Sequence, residues 1–201
     1  MRFTREQLAA CAGRSVPDLL PDDRADLRLL FVGINPGLWT AAAQAHFAHP
    51  GNRFFKALHA AGITPEPLDV SAGFDERSRG ALRERGIGLT NLVNRATARA
   101  DELDDGELRA GARRLARKVA VWKPRVVAVV GLGAYRTAFG RRHAVPGPQE
   151  DRCAGAAVWA LPNPSGLNAH YQLDALAGLY RQAAKAAGVP LEPRGGRTGR
   201  A

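Results

Sequence analysis

Two short loops in this sequence join a stiff backbone to side chains that can handle a polar substrate. The first reads Gly33-Ile34-Asn35-Pro36-Gly37-Leu38. Gly33 and Gly37 permit close backbone approach or positive φ, while Pro36 fixes its own φ and confines Asn35 to extended conformations. The Asn35 amide is therefore held in place. Glycines at such a point also mark nucleotide-binding loops, but neither GxGxxG nor GxxxxGK followed by Ser or Thr occurs here, which disfavours a P-loop or dinucleotide site. Taken alone, this loop would serve equally well as a structural turn.

The second loop reads Leu161-Pro162-Asn163-Pro164-Ser165-Gly166-Leu167-Asn168-Ala169-His170. Prolines bracket and stiffen Asn163, and Gly166 precedes an apolar Leu167 in an otherwise polar stretch. Leu167 has two readings: a wedge that enters between base steps, or an anchor that ties the loop to the core. Carboxylates are missing around both loops. Residues 28–65 contain no Asp or Glu, nor do residues 152–173. The first stretch carries Arg28, His46, His49, Arg53, Lys56 and His59 instead, a positive or neutral surface suited to phosphates.

Such loops need a sheet to aim them. Arg28 to Gly33 is a continuous apolar run of the kind found where both faces of a strand are covered, and Leu89–Val93, Val126–Gly131 and Ala156–Leu161 are of the same type. Helices are expected between and around them. Thr4–Ala12 has Thr4 as N-cap. Asp104–Trp122 opens with a capping box, Asp104 and Glu107, and sets Leu108, Ala112, Leu115, Val119 and Trp122 on one face, with Arg109, Arg113, Arg117 and Lys118 on the other. The last helix, about Tyr171–Ala187, buries Leu173, Leu176, Tyr180 and Ala184 and stops at Gly188 and Pro190. This alternation predicts an α/β fold: a three-layer α/β/α sandwich around a short, mainly parallel sheet of about four strands. Ligands of such sheets bind beyond the carboxyl ends of the strands, where both loops lie. Three segments are expected: residues 1–25 as an N-terminal helix and connection, 26–188 as the main domain, and 189–201 as a disordered basic tail.

Composition narrows the function classes. Lys and Arg number 29 against 19 Asp and Glu, a net charge of +10, which favours a polyanionic partner. The last twelve residues account for only +2 of it. No apolar run approaches the roughly 18 residues of a membrane helix, and no secretory signal is visible, so a cytoplasmic protein is expected. Cys11 and Cys153 belong to no CxxC or Cys/His cluster, which argues against zinc or an iron–sulfur cluster. No metal and no cofactor is expected.

Four segments in order, Gly33–Gly37, Phe47-Ala48-His49-Pro50-Gly51-Asn52-Arg53-Phe54-Phe55, Leu89-Thr90-Asn91-Leu92-Val93 and Leu161–Leu167, resemble the successive motifs of the mismatch-specific uracil/thymine DNA glycosylases, within the uracil-DNA glycosylase superfamily. The resemblance spans about residues 26–187. It implies that Asn35 is the catalytic asparagine that holds a water near the sugar C1′. Phe47 matches the aromatic that stacks on the flipped pyrimidine, with backbone amides near Ile34 and Phe47 contacting the base edge. Thr40 sits where relatives carry a small hydroxyl residue near the base, Asn91 borders the pocket, and Asn163 lies next to the flipped nucleotide. Ser165 contacts the DNA backbone, Gly166 and Leu167 match the wedge, and Asn168 follows them on the DNA-binding loop.

The implied activity is a monofunctional glycosylase that hydrolyses the N-glycosidic bond of uracil, with thymine or exocyclic-adduct cytosine as further substrates, mispaired with guanine in double-stranded DNA. An amide cannot act as a general base and can only orient water, so turnover slower than that of a carboxylate-equipped glycosylase follows. Flipping a base costs a few kcal/mol, least at a mismatch. Two features depart from the family pattern: Asn168-Ala169-His170 stands where some relatives place an arginine, and the bulky Trp39 is expected to narrow the pocket against thymine. The partner expected is double-stranded DNA, met by a monomer that associates with the nucleoid through it. The alternative reading is a noncatalytic DNA-binding protein that retains the fold. A small-molecule nucleotide enzyme on a similar sheet is a third.

Overall fold

A computed structural model describes residues 3–166 and 171–193. Leu167 and Asn168, two of the expected DNA contacts, lie outside the described residues, as does 194–201 of the expected tail. The elements run α1 (Arg5–Ala9), β1 (Leu29–Gly33), α2 (Leu38–Ala43), α3 (Phe54–Ala60), α4 (Glu76–Arg83), β2 (Ile87–Asn91), α5 (Asp105–Trp122), β3 (Val126–Val130), α6 (Leu132–Phe139), β4 (Gly147–Cys153), β5 (Ala156–Leu161) and α7 (Leu173–Ala187). The sheet order is β2-β1-β3-β5-β4, parallel throughout except for β4 against β5.

The apolar strands sort their residues by the two-residue period of extended chain. Leu29, Phe31, Leu89, Val126, Ala128 and Trp159 join the core under α3 and α7. Leu30, Val32, Val127, Val129, Val158 and Ala160 join the core under α5 and α6. Both faces are covered, giving the expected three layers, and each large side chain so buried contributes roughly 1.5–3 kcal/mol. Gly111 lets α5 approach closely, because a Cβ there would stand 2.5 Å from the Leu92 carbonyl oxygen.

The sheet has five strands among the described residues where about four were expected. The extra one, β4, reads Gly-Pro-Gln-Glu-Asp-Arg-Cys and is buried only at its two ends. As an edge strand it tolerates both its polar residues and Pro148, which a central strand would not. Ala154 and Gly155, both at positive φ, turn it back into β5. Other boundaries shift inward: α1 covers Arg5–Ala9 behind a Thr4–Gln7 capping box, and α7 begins at Leu173, which is half-buried. On α5, Leu108, Leu115 and Val119 are buried as expected, while Ala112 and Trp122 are only partly covered. Lys118 is not on an open basic face. Its ammonium pairs with Asp18 and donates to Thr90 Oγ1 at 2.7 Å.

The N-terminal segment is woven into the main body. Leu19 bridges Leu89 in antiparallel fashion, Val16 N–H donates to Asn94 Oδ1 at 3.2 Å, and Cys11, Val16 and Leu19 are buried. At the other end, residues 189–193, which the sequence assigned to a disordered tail, are packed: Val189 is buried, Glu192 N–H donates to the Gly62 carbonyl at 2.7 Å, and the Glu192 carboxylate pairs with Arg85 at 2.6 Å.

Candidate functional site

The sheet order places β1 between β2 and β3, so the chain leaves β1 at the point where connections diverge to either side, the usual ligand crevice of an open α/β sheet. A cleft of about 150 Å³ opens there. Ile34, Asn35 and Gly37 after β1 line it, with Val130 at the end of β3, Asn163 after β5, Thr97–Ala100 after β2, and Phe47 and Asn52 from the connection between α2 and α3. The volume is well above the roughly 10–15 Å³ that a single water requires. Among the described residues lining it there is no carboxylate and no lysine.

The Asn35 side chain is fixed by contacts that sequence spacing does not reveal. Its Nδ2 donates to Thr97 Oγ1 at 2.7 Å, to the Arg95 carbonyl at 3.0 Å and to the Pro36 carbonyl at 3.2 Å. The Thr97 hydroxyl in turn donates a hydrogen bond to the Arg99 carbonyl at 2.6 Å. The amide nitrogen is thus saturated, and Oδ1, which accepts no hydrogen bond among the described residues, is the end left to the cleft. The 93–99 segment is itself anchored: Val93 N–H donates to the Ile34 carbonyl, Thr97 N–H to the Pro36 carbonyl, and the Arg95 guanidinium forks onto Glu107 with two bonds of 2.9 Å. Glu107 is the residue that also caps α5, through Asp104 N–H. The capping box legible in the sequence therefore holds the carbonyl that orients Asn35. The hydrogen bonds from Arg95 lower the Glu107 pKa, so this fork stays ionised.

Phe47 presents a flat apolar wall. One face stacks on the fully buried Phe54, ring centres 3.9 Å apart and planes 14° from parallel, while the residue stays half-exposed at the cleft. Its φ of 57° is a left-handed conformation, uncommon for a bulky residue and typical of positions where surrounding structure imposes geometry on a site. Gly33 makes room for the ring, since a Cβ there would crowd Phe47 Cζ at 3.3 Å. The backbone N–H groups of Ile34 and Phe47 donate no hydrogen bond among the described residues, so both donors remain available in the cleft lining.

The opposite wall is the loop after β5. Asn163 Oδ1 accepts from Ser165 N–H at 3.0 Å, and a Cβ on Gly166 would stand 2.8 Å from the Gly51 carbonyl oxygen. Arg53 pins this wall to the Phe47 connection. Its backbone N–H and Nε donate to the Pro164 carbonyl, Nη2 to the Ser165 carbonyl at 2.7 Å and Nη1 to the Tyr171 carbonyl at 2.8 Å.

The structure thus brings Ile34, Asn35, Phe47 and Asn163 into one cleft, while Ser165 and Gly166, which follow Asn163 on its loop, are not among the lining residues. Thr40 is not among the cleft-lining residues; it is buried on α2. Asn91 is not among the cleft-lining residues either; it sits behind Gly33, its Nδ2 near His46 Nδ1 and its Oδ1 over Gly33, where Phe47 Cζ also approaches. Trp39 does not narrow the cleft: its indole donates to the Ser71 carbonyl at 2.9 Å and packs edge-on against Phe3 and His49. Most of the cationic set expected to face phosphates is engaged by the protein's own backbone carbonyls. Arg28 donates to the Gly188 carbonyl, Arg53 staples the loop, His59 faces the Thr64 carbonyl and His46 is buried, which leaves Lys56 and His49 exposed. Sequence reasoning missed Thr97, Arg95 and the stapling role of Arg53, which act across long sequence separations, and Asn52, whose Oδ1 accepts from Phe54 N–H two residues on. Their only local signal was the Asn52-Arg53 pair inside the Phe47 motif.

Both cysteines are buried free thiols, and no group of His, Cys, Asp and Glu able to hold a metal occurs among the described residues. No helix among them is long and apolar enough to cross a membrane. The family model of the uracil DNA glycosylase superfamily matches residues 21–185, from the connection before β1 almost to the end of α7. That span contains every described residue of the cleft, and the chain belongs to the uracil DNA glycosylase superfamily, whose members are DNA glycosylases of base excision repair acting on DNA.

Proposed function

We propose that this protein is a monofunctional, mismatch-directed glycosylase that hydrolyses the N-glycosidic bond of uracil, and by extension thymine or exocyclic-adduct cytosine, opposite guanine in double-stranded DNA. The observation that carries this reading is the pairing, in one cleft, of an Asn35 amide with a saturated nitrogen and the open face of Phe47. A pyrimidine turned out of the duplex stacks on Phe47. The Ile34 and Phe47 N–H groups meet its oxygens and stabilise the charge that grows on the departing base, as fixed donors do without a metal. Asn35 Oδ1 accepts a hydrogen bond from a water and aims its lone pair at C1′ as the sugar becomes oxocarbenium-like. The contribution is one of position, since an amide takes no proton.

The lining supports the rest. With no carboxylate among the described residues that line the cleft, water is oriented but not deprotonated, which makes hydrolysis slow. With no lysine there, no amine attacks the sugar, and the product is an intact abasic strand. A monomer suffices for one extruded nucleotide.

The test is purified protein incubated with end-labelled duplexes carrying G·U, G·T, A·U and G·C, then hot alkali. Alkali-dependent cleavage at the G·U position, without cleavage before alkali, is the expected result. Salt-sensitive duplex binding with no alkali-labile site in any duplex supports the noncatalytic alternative.

A further inference from the structure

We propose that His46 is a positioning residue for base selection, its ring dictating which end of the Asn91 side-chain amide faces the base. The inference rests on the reading of Asn91 as a residue bordering the flipped base. His46 is 2 % exposed and immediately precedes Phe47. Its Nε2 lies 3.1 Å from the Pro17 carbonyl oxygen and its Nδ1 lies 3.3 Å from Asn91 Nδ2. A carbonyl oxygen can only accept, so Nε2 carries the ring proton. A neutral imidazole has a single N–H, which makes Nδ1 an acceptor. Asn91 must then donate through Nδ2, and its Oδ1 is turned away from His46. That oxygen stands over Gly33, where a Cβ would collide with it and crowd Phe47 Cζ as well.

The consequence is a fixed acceptor beside the stacking ring. Such an acceptor complements the imide N3–H of uracil and thymine and faces the N3 lone pair of cytosine unfavourably. Sites that present polar groups to a substrate discriminate strongly because the wrong partner leaves those groups unpaired. The neutral ring on which the chain of donors depends is favoured by burial, which lowers the His46 pKa to about 4. The nearest charges, Asp18 on the N-terminal segment and Lys118 on α5, act in opposite directions and pair with each other.

Two substitutions separate the two ring nitrogens. In His46→Gln the side-chain amide reaches the Nε2 position and still meets Pro17, but nothing occupies the Nδ1 position. In His46→Asn the carbonyl oxygen stands in for Nδ1 and the Pro17 contact is lost. Single-turnover release is measured from duplexes carrying 5-fluorouracil or 5-fluorocytosine opposite guanine, where fluorine stabilises both leaving groups enough to follow. The uracil-to-cytosine preference is expected to fall at least tenfold in His46→Gln and to stay near the wild-type value in His46→Asn, even where the latter melts earlier. An unchanged preference in His46→Gln, or equal losses in both variants, overturns the proposal. Long-range proton–nitrogen NMR of the imidazole gives an independent answer without catalysis. The Nε2–H tautomer, with Asn91 side-chain NH₂ resonances that move in His46→Gln and hold in His46→Asn, supports the proposal, and an Nδ1–H tautomer overturns it. A wild-type protein that releases no base overturns the glycosylase reading instead, and the tautomer still decides this one.

Discussion

Asn35 and Asn163 sit in the same local sequence, an asparagine followed by proline just past the end of a parallel strand, yet the fold uses their amides in opposite ways. Asn35 has its nitrogen consumed by Thr97, Arg95 and Pro36, leaving an oxygen for the cleft. Asn163 has its oxygen consumed by Ser165 N–H two residues on, a turn-stabilising bond within its own loop. What an amide can do for a substrate depends on which half the protein has already used. Asn91 is a third case, with its orientation set by a buried histidine.

The sharpest break between the first two is Asn35→Ala. It is expected to lower single-turnover base release by about 100-fold or more, the scale of losing a well-positioned group, while duplex affinity measured by anisotropy stays nearly constant. Retention of the wild-type rate removes Asn35 from the chemistry.

The pH dependence of stability comes next in size and concerns the third amide. The folded His46 pKa of about 4 lies below its ordinary 6.5, so the unfolded chain binds the extra proton first as pH falls. Stability from keeping the ring neutral is complete above about 6.5 and is lost progressively toward about 4, by about 3 kcal/mol over that window. Urea titrations across this range should show that slope in the wild type and a shallower one in His46→Gln.

Arg53→Met removes the guanidinium bonds to Pro164, Ser165 and Tyr171 carbonyls. Charge-assisted bonds of this kind predict a loss of about 2 kcal/mol, read by calorimetry as a Tm lowered by about 4–8 °C. Thr97→Val keeps the Arg95 and Pro36 carbonyls on Asn35 but deletes the shortest bond to its nitrogen, for an expected loss of about tenfold in single-turnover rate. Asn163→Ala removes the neutral hydrogen bond from Ser165 N–H, worth about 1 kcal/mol, and should change the rate at saturating enzyme by less than about fivefold. A loss as large as that of Asn35→Ala would erase the contrast between the two asparagines.

Much of this architecture was legible before any coordinates, for a physical reason. Strands covered on both faces must be apolar throughout, so β1, β3 and β5 stand out, and the Asp104–Glu107 box marks the start of α5 to the residue. The edge strand β4 needs only one neighbour and can be polar, which is why its composition hid it. At the site, the stiffness of the Asn35 loop followed from Pro36, but the orientation of its amide came from residues about 60 positions away. Trp39 misled because a bulky residue next to a pocket in sequence need not face it, and its indole found the Ser71 carbonyl. Arg53 and His46 misled in a related way. Basic residues in a carboxylate-free stretch suggest phosphate contacts, whereas here backbone carbonyls use Arg53 and burial keeps His46 neutral.

The measurement closest to the central claim is a crystal structure of the protein on a G·U duplex whose uridine carries a 2′-fluorine, which slows departure of the base. The account predicts uracil lying flat on Phe47 and an ordered water within hydrogen-bond distance of Asn35 Oδ1, on the side of C1′ opposite the base. A uracil held elsewhere, or an Asn35 amide turned so that Nδ2 faces the sugar, would contradict it.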